Sequence, residues 1–158
     1  MSVLFFDTPA LIKRYLAEKG CAWVRAQCHA NAGHTIVISQ ATSVEAVAAL
    51  CRKGREINPA QRITLDERDK QIRIFREDTQ LEYFIIPVTA SIYEKAGDLC
   101  RTHQLRAYDA IQLACALTSS DKLARSGEPA PIFVSADDKL LEIARAEGFT
   151  IENPNHSL

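Results

Sequence analysis

Residues 4–11 read Leu-Phe-Phe-Asp-Thr-Pro-Ala-Leu, and the fold turns on how this stretch is parsed. Val3 to Phe6 are apolar without alternation, the pattern of a short strand buried on both faces. Asp7 ends the run. Thr8 and Pro9 then predict a helix N-cap and first helical position, because proline lacks an N–H that the first turn leaves unpaired anyway. That helix is expected to run through Leu11, Ile12, Tyr15 and Leu16 and to stop at Gly20. A strand that runs straight into a helix, with an acid at the junction, is the opening of an α/β unit.

The same alternation continues down the chain. A second helix is expected over residues 22–30, and His34–Ser39 (HTIVIS) is the next buried strand. The helix after it, residues 40–54, places Val44, Val47, Ala48 and Cys51 at the spacing of one apolar face. Residues 59–80 form the most charged helix, with Ile63, Ile72 and Phe75 inward. LEYFIIPV (residues 81–88) is a third strand, followed by a helix whose inner side carries Ile92, Ala96, Leu99 and Cys100. YDAIQLACALTSS (residues 108–120) is apolar nearly all round, as in a helix buried on most sides. Ile132–Ser135 is a fourth strand. The last helix stops at Gly148, and FTIENP adds a short edge strand. Short apolar strands between helices predict a parallel sheet covered on both faces, in one domain over residues 1–158.

Composition narrows the function. Among the 158 residues, 47% are hydrophobic and 25% charged, which is ordinary for a soluble globular chain. No secretory signal or membrane span is legible, so the cytoplasm is the expected location. A net charge of −1 argues against holding nucleic acid by bulk positive charge, but leaves room for a local basic rim or for metal ions. The five cysteines are odd in number and lack CxxC spacing, against both a disulfide framework and a zinc site.

The acids carry the chemistry. Asp7 closes strand one, Glu45 lies early in the helix after strand two, Asp109 opens the buried helix, and Asp137 follows strand four. In open parallel sheets, ligands bind outside the carboxyl ends of the strands, near the point where strand order reverses. All four acids are therefore expected along one rim. Three of them also have a plainer reading as caps: Thr42-x-x-Glu45 has the form of a capping box, and Asp109, Asp137 or Asp138 suits an N-cap. At Asp7 the cap is already supplied by Thr8 and the first helical turn by Pro9. Carboxylates crowded in a cleft need protons or cations, and an all-oxygen set favours Mg2+ or Mn2+ over zinc. Such ions activate water for attack on a phosphodiester.

FFDTPALIKRYLAEKG, SVEAVAALCRKG, LRAYDAIQLACAL and FVSADDKLLEIARAEG, in that order, resemble the signature blocks of PIN-domain proteins, especially VapC-type toxins of toxin–antitoxin pairs. The resemblance implies a three-layer α/β/α fold with a central parallel sheet and a Mg2+- or Mn2+-dependent endoribonuclease. It implies Asp7, Glu45, Asp109 and Asp137 as catalytic metal ligands, with Asp138 a competitor for the fourth place. It matches Ser135 and Thr8 to the family's hydroxyl positions. Pro9 departs from the usual Asp-Thr-Ser or Asp-Ser-Asn, removing a hydroxyl and a backbone donor. The resemblance also implies an RNA substrate, a VapB-like antitoxin with a basic side chain reaching the acids, and a homodimer, away from membranes. Phosphate contacts need local cations. Arg106, close to Asp109, is the leading candidate, ahead of Lys13, Arg14, Arg52, Lys53, Arg55, Lys122 and Arg125. The alternative is a PIN-like scaffold that binds RNA or protein without cutting. A dehalogenase-like phosphatase is disfavoured because Pro9 stands where its second Asp is required.

Overall fold

A computed structural model describes residues 1–156; Ser157 and Leu158, the end of the expected 1–158 domain, lie outside the described residues. Among the described residues, five strands form one sheet: β1 (Val3–Phe6), β2 (Thr35–Ser39), β3 (Tyr83–Ile86), β4 (Ile132–Val134) and β5 (Ile151–Glu152). All neighbours are parallel, in the order β3-β2-β1-β4-β5. The helices are α1 (Thr8–Leu11), α2 (Cys21–Cys28), α3 (Thr42–Gly54), α4 (Leu65–Leu81), α5 (Ala90–Thr102), α6 (Ala107–Arg125) and α7 (Asp138–Ala146). None of these helices is long and apolar enough to cross a membrane.

Alternation along the strands builds the three layers, because successive side chains leave opposite faces of a sheet. Leu4, Phe6, Ile36 and Ile38 pack against Leu11 of α1, Val24 of α2, Leu50 of α3 and Phe75 of α4. Phe5, Val37 and Phe133 pack on the other side against Ile92 of α5, Leu113 of α6 and Leu140 of α7. Phe5 and Phe133, opposite each other in the β1–β4 pair, stack with centroids 5.7 Å apart. Burying each such ring contributes roughly 1.5–3 kcal/mol. This is the three-layer α/β/α architecture, with β1 at its centre.

From β1 the chain steps outward to β2 and β3, then returns to place β4 and β5 on the other flank. Strand order thus reverses at β1, and a crevice opens between the carboxyl ends of β1 and β4. Asp7 and Ser135 follow those two strands directly.

Several local expectations shift. The first helix does not reach Gly20: α1 ends at Leu11 and tightens into a 3-10 turn over Ile12–Arg14. Its continuation is broken where Arg14 and Tyr15 enter a polar network with Tyr83, Asp78 and Glu82. Gly20 instead opens α2, at φ 84°, where a Cβ would lie 2.5 Å from the Pro154 carbonyl oxygen. The charged helix starts at Leu65 rather than Pro59, because the Thr64 hydroxyl caps it through the Glu67 N–H. On α3 the buried face is Thr42, Ala46 and Leu50, and Val44 is exposed. Cys100, expected inward, is exposed; all five cysteines are free thiols.

Candidate active site

Asp7 is the N-cap of α1, a place the sequence assigned to Thr8. Its Oδ1 accepts from the Ala10 N–H at 2.8 Å, while its own N–H donates to the Val134 carbonyl at 3.1 Å. The carboxylate is only 1% exposed, and Ser135 donates a hydrogen bond to it. Burial raises its pKa from 3.8 to about 7, against the pull of the Ser135 and Ala10 donors, and the charges of Asp109 and Glu45 add to the rise. That electrostatic reach puts the three acids in one neighbourhood.

Glu45 does not close a capping box. Ala41 occupies the N-cap position of α3, and Thr42 is buried inside the first turn. Glu45 Oε1 instead accepts from Gln112 Nε2 at 2.9 Å. Burial raises the Glu45 pKa, the Gln112 donor and the nearby Thr8 hydroxyl oppose that rise, and the Asp109 charge reinforces it. Asp109 is likewise no cap: Arg106 holds that position and Asp109 sits in the first turn of α6, accepting from Arg106 Nε at 2.9 Å. The Arg106 guanidinium also lies 3.8 Å from Asp137.

Asp137 does cap, as its plainer reading held. Its Oδ1 accepts from the N–H groups of Lys139 at 2.9 Å and Leu140 at 3.2 Å at the start of α7. Ser135 Oγ accepts from the Asp137 N–H at 3.1 Å, so Ser135 ties Asp7 to Asp137. Asp138 faces elsewhere, held by Asn153 Nδ2 at 2.7 Å near the end of β5. Asp137, not Asp138, is thus the acid beside Arg106 and Asp109.

The hydroxyl residues are spent inside the protein. Ser135, matched to a hydroxyl position that would meet substrate, is fully buried and braces carboxylates from inside. Thr8 is buried too, donating to Thr42 Oγ1 at 3.1 Å and accepting from Gln112 Nε2 at 3.2 Å. Gln112 escaped the sequence reading, and Thr42 was read only as the start of a capping box. The signal was present: Gln112 is a polar side chain in the apolar run of α6, three residues after Asp109 and hence on the same helix face.

Among the described residues, no three His, Cys, Asp or Glu side chains stand close enough together to enclose an ion as placed. Each carboxylate is met by a protein donor instead: Asp7 by Ser135 and Ala10, Glu45 by Gln112, Asp109 by Arg106. The donor set nonetheless suits a hard divalent cation, being all oxygen, and the charges of Asp7, Glu45 and Asp109 repel one another.

Of the four acids, Glu45 lines a cleft of about 720 Å³, while Asp109 and Asp137 line a separate cavity of about 270 Å³ with Arg106. Glu45, Thr8 and Tyr108 line the larger cleft, Ile12, Leu16, Val44 and Ala48 give apolar wall, and Lys13, Arg52 and Lys53 line it further along α1 and α3. Lys13 is itself engaged, donating to the Lys19 carbonyl at 2.9 Å. Arg14 is no phosphate contact: it is paired with Glu82 at 2.7 Å and donates to Tyr83 Oη at 2.8 Å.

Comparison with known proteins agrees with this fold. Residues 4–146 match the PIN domain, and the chain belongs to that family. Among solved structures, a toxin–antitoxin complex from Klebsiella pneumoniae contains a chain of the same fold, with a TM-score of 0.60 at 18% identity, over 96% of this chain and 97% of that one. VapBC2 from Rickettsia felis, bound to a DNA fragment from its promoter, aligns with a TM-score of 0.57 at 13% identity, over 96% and 98% of the two chains. No curated protein matches the sequence.

Proposed function

We propose that this chain is a Mg2+- or Mn2+-dependent endoribonuclease that hydrolyses RNA phosphodiester bonds, and the toxin of a VapBC-type pair. The observation that carries the reading is the mutual electrostatic reach of Asp7, Glu45 and Asp109 beside the crevice between β1 and β4, in a chain of the PIN family. Asp7, Glu45, Asp109 and Asp137 would hold the ion. When bound, it supplies positive charge that activates water and steadies the charge developing on the phosphodiester.

The chain's own residues prepare that chemistry. Ser135 braces Asp7 and Asp137, and Gln112 braces Glu45. Arg106 is the counter-ion of Asp109 in the free protein and is exposed enough to turn towards an RNA phosphate once a cation takes its place. Thr8 and Pro9 line the cleft that would take the RNA, with the Thr8 hydroxyl turned inward to Thr42.

The proposed partner is a small VapB-like antitoxin. An apolar segment carrying an Arg or Lys suits a cleft with Ile12, Leu16 and Val44 on its wall and Glu45 among its lining. The exposed side chains of Leu81 and of Phe84, on edge strand β3, support a homodimer, which sedimentation of the purified chain tests.

The function is tested with Asp7→Asn and Asp109→Asn, assayed for RNA cleavage in Mg2+ and in Mn2+. Both replacements keep side-chain volume while removing a ligand charge. Cleavage should fall beyond the roughly 10–100-fold typical of changes one shell further out, with an unchanged circular dichroism spectrum. Wild-type cleavage by Asp7→Asn would sink the metal reading, and a wild-type chain that binds RNA without cleaving it in either metal would leave the non-cutting scaffold.

A further inference from the structure

Gln112 is 2% exposed, in the middle of an apolar helix, and stands between three elements of the site. Its Nε2 lies 2.9 Å from Glu45 Oε1, 3.1 Å from Thr42 Oγ1 and 3.2 Å from Thr8 Oγ1. One amide thus joins α6 to the first turn of α3 and to the residue after Asp7. The orientation of the amide is dictated. Turned over, its carbonyl oxygen would face the Glu45 carboxylate, acceptor against acceptor.

That orientation leaves a cost. Gln112 Oε1 is buried and has no hydrogen-bond partner among the described residues. A buried amide oxygen without a donor destabilises the fold, and an apolar side chain of the same length would avoid the penalty. Fold stability alone does not account for glutamine here. What the amide does achieve is directional: from the α6 face that also carries Asp109 it holds one oxygen of Glu45 at 2.9 Å.

We infer that Gln112 is a positioning residue that holds the Glu45 carboxylate ready for a divalent cation, an inference that rests on the metal-dependent reading above. It acts through Glu45 and touches neither ion nor substrate. Anchored by two threonine hydroxyls, the amide limits how far Glu45 can swing into the cleft. A carboxylate held in place loses less freedom when it closes on an ion.

Mn2+ binding measured by titration calorimetry on the whole chain, without RNA, tests this. Gln112→Met and Gln112→Leu remove the donor with little change of volume. Both should bind Mn2+ at least about tenfold more weakly than wild type, while the metal-free melting temperature stays level or rises because the orphaned oxygen is gone. A double-mutant cycle supplies the second readout. In a Glu45→Gln background, Gln112→Met should cause no further loss of Mn2+ affinity. Unchanged affinity in both single variants overturns the inference, and so does an equal loss with and without Glu45. A metal-free melting temperature lowered by ten degrees or more with affinity intact assigns Gln112 a purely structural role and overturns it as well. If the wild-type chain binds no Mn2+ at millimolar concentration, the metal reading itself fails. Binding by wild type that the variants match refutes the role of Gln112 alone.

Discussion

Asp7 carries opposing demands. It caps α1, it is buried under Ser135, and it shares its surroundings with Glu45 and Asp109. Its pKa of about 7 in the fold, against 3.8 ordinarily, makes stability depend on pH in a definite direction. The folded value is raised, so the contribution is fully present below about pH 4 and is lost as pH rises through about 7, where the folded protein must ionise the buried acid. A shift of about three units corresponds to about 4 kcal/mol as an upper bound. In buffer with chelator, the wild-type melting temperature should fall between pH 4 and 8 more steeply than that of Asp7→Asn, which has no charge to bury. Parallel curves for the two proteins would contradict this. Gly20 makes a separate demand. Alanine there would take a left-handed φ of 84° and drive its Cβ to 2.5 Å from the Pro154 carbonyl oxygen. Gly20→Ala should lower unfolding free energy by about 2 kcal/mol or more, read from urea denaturation.

At the scale of elements, the network around Arg14 shows what a linear reading misses. Arg14 looks like a surface cation near a helix end. In the fold it pairs with Glu82 and Asp78 and donates to Tyr83, whose hydroxyl also bonds that of Tyr15, joining the turn after α1 to α4 and β3. Arg14→Ala strips a charged partner from a half-buried cluster and should cost about 2–3 kcal/mol. RNA affinity and its salt dependence should not change. A shallower salt slope with unchanged stability would instead make Arg14 a phosphate contact. The elements that sequence predicted well were those whose hydrophobic pattern is self-sufficient: all five strands, α5, α7 and the apolar part of α6, whose polar last turns run on to Arg125 past the expected end at Ser120. Those it misplaced depend on distant partners. The first helix ends where Arg14 and Tyr15 find Asp78 and Tyr83 more than sixty residues away. Helix α3 has two apolar stripes, and periodicity cannot say that Thr42, Ala46 and Leu50 face the core while Val44 lines the cleft. The places of Asp7 and Asp137 were legible because strand ends announce themselves. Gln112 was not, since a lone amide gains meaning only from the threonines and Glu45 that the fold brings to it.

For the whole molecule, topology does the gathering. Placing β4 beside β1, after β2 and β3 have left on the other flank, brings Asp7 and Asp137 together from opposite ends of the chain, while α6 delivers Asp109 from the other layer. Mutual repulsion at this rim is answered by protein donors when no cation is bound, each acid having its own. Millimolar Mg2+ or Mn2+ should therefore raise the melting temperature of the wild-type chain, and raise it less for Asp109→Asn. An unchanged melting temperature across that titration would count against coupling between ion and fold. The most direct test of the central claim, that these acids form one divalent-cation site, is an anomalous difference map from a crystal of the chain soaked in Mn2+. The account predicts a peak in the crevice between β1 and β4, bonded to carboxylate oxygens of Asp7 and Asp109, with Arg106 displaced. A map with no peak there, or with Mn2+ bound only at acids elsewhere on the surface, would contradict it.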